Sequence, residues 1–131
     1  MPSLMPTIGV TQPINSAVQF APADGVIPKT LYSAAVGPYR ITSILVATTS
    51  PADVVIDLYM HIGSTNNIIG SFTIPASRGT GGQPSDNLLA GAFPSSVDGI
   101  DLLQANQLFA AMEATLGVGL VVYVTVLGGL D

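Results

Sequence analysis

Residues 40–74 read RITSILVATTSPADVVIDLYMHIGSTNNIIGSFTI, and the piece DVVIDLYMHI at 53–62 decides how the rest is read. Val54, Ile56, Leu58, Met60 and Ile62 share one parity; Val55, Asp57, Tyr59 and His61 share the other. Successive side chains of a strand point to opposite faces, so this spacing predicts a strand with one apolar and one mixed face. On a helix the same residues would scatter around the cylinder. Residues 39–49 precede it with apolar side chains on both parities, which places that strand inside a sheet. Gly63-Ser64-Thr65-Asn66 reads as a hairpin loop, after which 67–74 returns as a strand.

Outward from this meander the chain keeps the same character. Residues 16–20 (SAVQF) are a short strand, Asp24-Gly25 a turn, and 26–33 (VIPKTLYS) a strand that Pro28 confines to an edge or a strand start. Residues 75–86 (PASRGTGGQPSD) form the longest loop, without periodicity, and loops of that length often carry partner contacts. Residues 87–92 read as a short strand. Residues 100–114 admit two readings. Leu102, Ala105, Phe109 and Met112 fall near one helix face. As strand, Leu102 leads into a turn at Gln104-Ala105-Asn106 and alternation resumes; the surrounding strands favour this second reading. Residues 118–127 (VGLVVYVTVL) are the final strand, apolar on both faces and so buried in the core or in an interface.

Residues 1–13 hold Pro2, Pro6 and Pro13, which oppose a helix or a central strand. Yet Leu4, Met5, Ile8 and Val10 make the segment more apolar than disordered tails usually are. The segment reads either as an arm that docks on a neighbouring subunit, or as a frayed terminus or a stretch lying on its own domain.

At 131 residues the chain fits one domain and buries roughly two-thirds of its unfolded surface. Hydrophobic residues make up 48% and charged residues 8%, the latter against about 25% in ordinary domains. So little charge points to surface covered by other subunits. The net charge of −5, with Lys29, Arg40 and Arg78 as the basic side chains, disfavours nucleic acid and anionic membrane surfaces. Without cysteine there is no disulfide and no thiolate metal site. Residues 1–10 lack the basic and long apolar regions of a signal peptide. The uncharged run at 116–130 is too short to span a bilayer as a helix.

No constellation argues for an enzyme. Asp57 and His61 share a strand face but stand roughly 13 Å apart, too far for one to orient the other. Asp98, Gly99 and Asp101 form a DGxD run that turn chemistry explains without calcium. Arg78-Gly79-Thr80-Gly81-Gly82 lacks the strand–loop–helix context of a phosphate cradle. The scattered acids and missing Trp give no support to a glycosidase. No catalytic, cofactor-binding or metal-ligating residue is assigned.

The order of segments carries a resemblance. Leu31-Tyr32-Ser33-Ala34 opens it, ITSILVATTS follows, and Leu58-Tyr59 marks the next strand. Ile74-Pro75-Ala76, then Asn87-Leu88-Leu89, then a Val-rich terminal strand complete it. Over about residues 30–129 this resembles small virion proteins of tailed bacteriophages, of the capsid decoration (cement) type. The motifs are strand and turn patterns, and the Pro-rich arm and the 104–106 turn depart from them. The resemblance implies a β-sandwich, often trimeric, on the capsid surface, bound to the major capsid protein.

The combined expectation is a single-domain, all-β, antiparallel sandwich of jelly-roll type (16–131) with an extended N-terminal arm (1–15). Contacts with partners are assigned to Leu4, Met5, Ile8 and Val10 of the arm and to Arg78, Thr80 and Gln83 of the long loop. The terminal strand serves core or trimer packing. The competing expectation is a tail or fibre module that binds a host glycan, for which Tyr39 and Tyr59 are the available aromatic candidates.

Overall fold

The computed structural model describes residues 12–34, 39–80, 82, 84–89 and 100–130, with 12–14 and 130 by their backbone alone. Among these, nine strands run in the order β1 (Gln12–Phe20), β2 (Lys29–Ser33), β3 (Tyr39–Thr48), β4 (Val54–Ile62), β5 (Thr65–Ile74), β6 (Asp86–Asn87), β7 (Ile100–Leu102), β8 (Gln107–Met112) and β9 (Val122–Leu130). One sheet has the order β1-β9-β3-β6, with β7 also pairing β3; the other has the order β2-β8-β4-β5. Every pairing is antiparallel. The pairs β4·β5, β3·β6, β2·β8 and β1·β9 nest one inside the next, which is the wrapped hairpin of a jelly roll. The fold is therefore the expected all-β sandwich.

The two sheets meet through the apolar parity of each strand. Ile56 and Leu58 of β4, Leu108 and Ala110 of β8, and Val122, Val124 and Val126 of β9 are buried there. A fully buried leucine such as Leu58 stabilises the fold by roughly 2–5 kcal/mol relative to alanine. β3 carries apolar residues on both parities for two reasons: Leu45 and Ala47 are partly covered on its outer face, and the strand contains a bulge. Its register against β9 shifts between Ile41 and Ser43, so a bulge at Thr42 turns the strand over. Ile41 faces inward before the bulge, and Ile44, Val46 and Thr48 face inward after it.

Several boundaries differ from expectation, among them β2, which starts at Lys29, after Pro28, and not at Val26. β1 begins at Gln12, so residues 12–15 belong to the sandwich and not to the arm. β1 is an edge strand, where Pro13 can pair with Gly129 without breaking a sheet interior. The β4–β5 loop is two residues, because Ile62 pairs with Thr65; Gly63 takes φ 65°, the first position of a type II′ turn. β9 starts at Val122, four residues late and three residues long beyond 127. Leu120 N–H donates to the Gly117 carbonyl, and Gly119 takes φ 77°, so 117–120 is a type II turn and Val118 stands 99% exposed.

Residues 100–112 follow the strand–turn–strand reading. Ala105 takes φ 72°, and its N–H donates to the Ala34 carbonyl, while Ala34 N–H donates to Asn106. The strand expected at 87–92 is only β6. Asn87 Oδ1 accepts the N–H groups of Ile44 and Leu89, both at 3.1 Å, so its side chain takes the place of continued backbone pairing. Residues 90–92 lie outside the described residues.

Candidate functional site

Strand registers place four connections at one pole of the sandwich. Phe20 and Thr48 each pair with Val122, Val54 pairs with Ile74, and Ile56 pairs with Met112. Hence the loops after β1, β3, β5 and β8 leave from the same end. The β1–β2 loop touches the β8–β9 loop there, since a Cβ on Gly25 would lie 3.9 Å from Thr115 Oγ1.

This pole exposes apolar side chains. Val26 and Ile27 are 52% and 67% exposed, and Val118 rises on the 117–120 turn. Beside them lies a cleft of about 370 Å³. Val54, Met112, Leu116 and Leu120 line it with apolar atoms; Ser50, Asp53, Glu113 and Thr115 add polar ones. The turn at 117–120 was hidden in the sequence because Gly117-Val118-Gly119 sits inside an apolar run. Lys29 bridges to Asp24 at 3.3 Å on the same pole. The Ala21 N–H and Lys29 hold the Asp24 carboxyl below its usual range.

The long loop reaches this pole but turns its chemistry inward. Ser77 N–H donates to the Ser50 carbonyl, Thr48 N–H to the Arg78 carbonyl, and Ala76 N–H to Asp53 Oδ1. Arg78 Nε lies 3.4 Å from Asp86 Oδ1. Thr80 Oγ1 donates to the Ser77 carbonyl at 2.8 Å. Arg78 and Thr80 thus secure the loop to the end of β3, and the exposed described residues of its tip are Gly82, Pro84 and Ser85. Gln83 and the arm residues Leu4, Met5, Ile8 and Val10 lie outside the described residues.

The outer face of the second sheet gathers the residues weighed for chemistry. Asp57 accepts the Ser71 hydroxyl, and His61 Nδ1 bonds Asn66 Oδ1. The His61 ring stacks on Phe109 with centroids 4.6 Å apart, and Tyr59 is the cross-strand partner of Phe109. Asp57 and His61 therefore have separate partners. Tyr39 packs edge-on against Tyr32 at 5.2 Å, away from Tyr59. Burial, followed by the Tyr39 hydroxyl, raises the Tyr32 pKa above its ordinary value. Asp101 is engaged by Arg40 at 2.9 Å. Among the described residues no three acidic or histidine side chains gather to hold a metal ion, and no helix is long and apolar enough to cross a membrane.

Comparison with family models, curated protein sequences and solved structures finds no significant match to this chain.

Proposed function

We propose that this chain is a non-enzymatic virion structural protein of a tailed bacteriophage. Its role is capsid decoration: a homotrimer on the head surface that ties neighbouring major capsid protein subunits together. The observation that carries this reading is the loop pole, where Val26, Ile27 and Val118 stand exposed and a cleft of mixed lining opens between 50–55 and 112–120. Burying a fully exposed side chain such as Val118 contributes about 1.5–3 kcal/mol, and the partly buried Val26 and Ile27 contribute less each, so several linked copies sum these into attachment. The arm residues Leu4, Met5, Ile8 and Val10 supply a second contact, to the shell or to a sister subunit. The loop contributes through its tip near Gln83, while Arg78 and Thr80 hold that tip in place.

Co-sedimentation with purified capsids tests the proposal. Wild-type protein joins the capsid pellet. The variant Ile27→Asp/Val118→Asp folds normally, because both positions are exposed, and binds at least about tenfold more weakly. A chain lacking residues 1–11 also binds more weakly. Wild-type protein that stays in the supernatant overturns the reading.

A tail or fibre module that binds a host glycan is the second reading. The rings of Tyr59, His61 and Phe109 on one open sheet face favour it, since flat rings stack on sugar faces. A glycan array signal abolished by Phe109→Ala would move the assignment there.

A further inference from the structure

The cleft at the loop pole selects its occupant by charge and by reach. Val54, Met112, Leu116 and Leu120 give it apolar walls around about 370 Å³, a size that receives a few side chains. Asp53 and Glu113 line it too, and among the described residues no Lys or Arg does. Asp53 accepts the Ala76 N–H, while Glu113 stands exposed. A segment that enters beside these two carboxylates must be apolar and free of Asp and Glu, or like charges oppose it.

The N-terminal arm meets that demand. Residues 1–23 are the longest stretch of the sequence without Asp, Glu, Lys or Arg, and Leu4, Met5, Ile8 and Val10 lie within it. The register of β1 then decides whose cleft they can enter. Gln12 pairs with Leu130 and Phe20 with Val122, so β1 starts at the opposite pole and runs about 26 Å before it reaches the cleft. Fully extended chain carries Val10 at most about 7 Å from Gln12 and Ile8 at most about 14 Å. Neither reaches the cleft of its own chain. The other segments outside the described residues are anchored elsewhere. Residues 35–38 join Ser33 to Tyr39 at the far pole, where Ser33 pairs with Gln107 and Tyr39 with Leu130. Residues 90–99 carry Asp98 and join Leu89 to Ile100 on the β3 flank, where Asn87 pairs with Leu45 and Ile100 with Ile41.

We infer that residues 4–10 of one copy dock in the loop-pole cleft of a second copy, so that copies join head to tail. The apolar side chains of the arm meet the apolar walls, and its backbone N–H groups give the exposed Glu113 carboxylate donors for charge-assisted hydrogen bonds. Each copy gives an arm at one pole and receives one at the other. Such a heterologous contact closes into a ring where the rotation between copies allows it. The inference rests on the assignment of the arm to a contact in the reading above and names that contact; it needs no capsid.

Cross-linking of full chains without capsids tests it. The sequence has no cysteine, so introduced thiols are the only ones. Chains carrying Ile8→Cys are mixed with chains carrying Ala114→Cys, an exposed position in the cleft, and treated with a short bismaleimide. The mixed dimer should form at least about tenfold more than when Thr30→Cys, exposed on β2, replaces Ala114→Cys. In light scattering, Ile8→Asp/Val10→Asp brings like charge to Asp53 and Glu113 and weakens the wild-type association about a hundredfold. A wild-type chain that stays monomeric at every concentration overturns the inference. So does a double variant, Ile8→Cys/Ala114→Cys, whose cross-link closes within one chain. A mixed dimer no more abundant than the Thr30 control also overturns it, the result expected if the arm contacts the shell alone. Co-sedimentation with capsids can still succeed in that case, so the decoration reading and this one fail separately.

Discussion

Gly128 of β9 lies so close to Arg40 of β3 that a Cβ at residue 128 would overlap the Arg40 carbonyl oxygen. The approach sits beside the bulge at Thr42, where β3 turns over against β9. Gly128→Ala is expected to destabilise the protein by about 3 kcal/mol, the upper part of the overpacking range. Urea unfolding followed by circular dichroism reads this as a lower midpoint at unchanged slope.

The long loop contains two described glycines with left-handed backbone and different surroundings. At Gly79 (φ 79°) a Cβ would lie 2.5 Å from Ala47 Cβ; at Gly82 (φ 86°) it meets open space. Gly82→Ala should cost about 1–2 kcal/mol from backbone strain alone. Gly79→Ala adds a clash and should cost clearly more, with faster proteolytic cleavage in 75–86. Equal costs would show that the loop does not pack on Ala47.

Asn87 ends β6 by accepting two backbone N–H groups at once. Asn87→Ala leaves both donors without that acceptor and should cost about 1–3 kcal/mol. Asn87→Asp keeps the acceptor and should retain most of the stability at neutral pH. Thermal unfolding of the two variants separates a hydrogen-bonding role from simple loss of volume.

Asp24 gives a pH signature. Its carboxyl is held below the usual value of 3.8, first by the Ala21 N–H and then by Lys29. A carboxyl lowered in the folded state contributes stability above its unfolded pKa and loses it as pH falls through the folded pKa. The stability difference between wild type and Asp24→Asn should therefore shrink as pH drops below 3.8. A constant difference across that window would remove Asp24 from the acid response.

The sandwich was legible where side-chain alternation was clean, as in β4, and where a polar turn broke it, as at 104–106. It was blurred where the backbone broke the rule. The bulge at Thr42 put Ile41 on the same face as Ile44 although their parities differ. Gly119 ended the apolar run before β9 with a turn that hydrophobicity concealed. Arg78 and Thr80, assigned to partner contact, also bond within the chain to Asp86 and Ser77, neighbours of which a glycine-rich loop carries no mark in sequence. The cleft at the loop pole was missed because its walls come from 50–55 and 112–120, which only the fold brings together.

Gln12 and Leu130 face each other across β1 and β9, the outermost of the nested pairs. That closure has a kinetic meaning. β9 lies between β1 and β3, so the first sheet stays in two pieces until the last of its strands arrives. Chains dominated by such distant pairings fold in about milliseconds to seconds, and slowly formed sheets leave open strands in solution meanwhile. The β4–β5 hairpin, closed by a two-residue turn, is local and can form within about ten microseconds. Its strand β5, which carries no charged residue, is therefore presented early, and refolding yield should fall with protein concentration before the native state is reached.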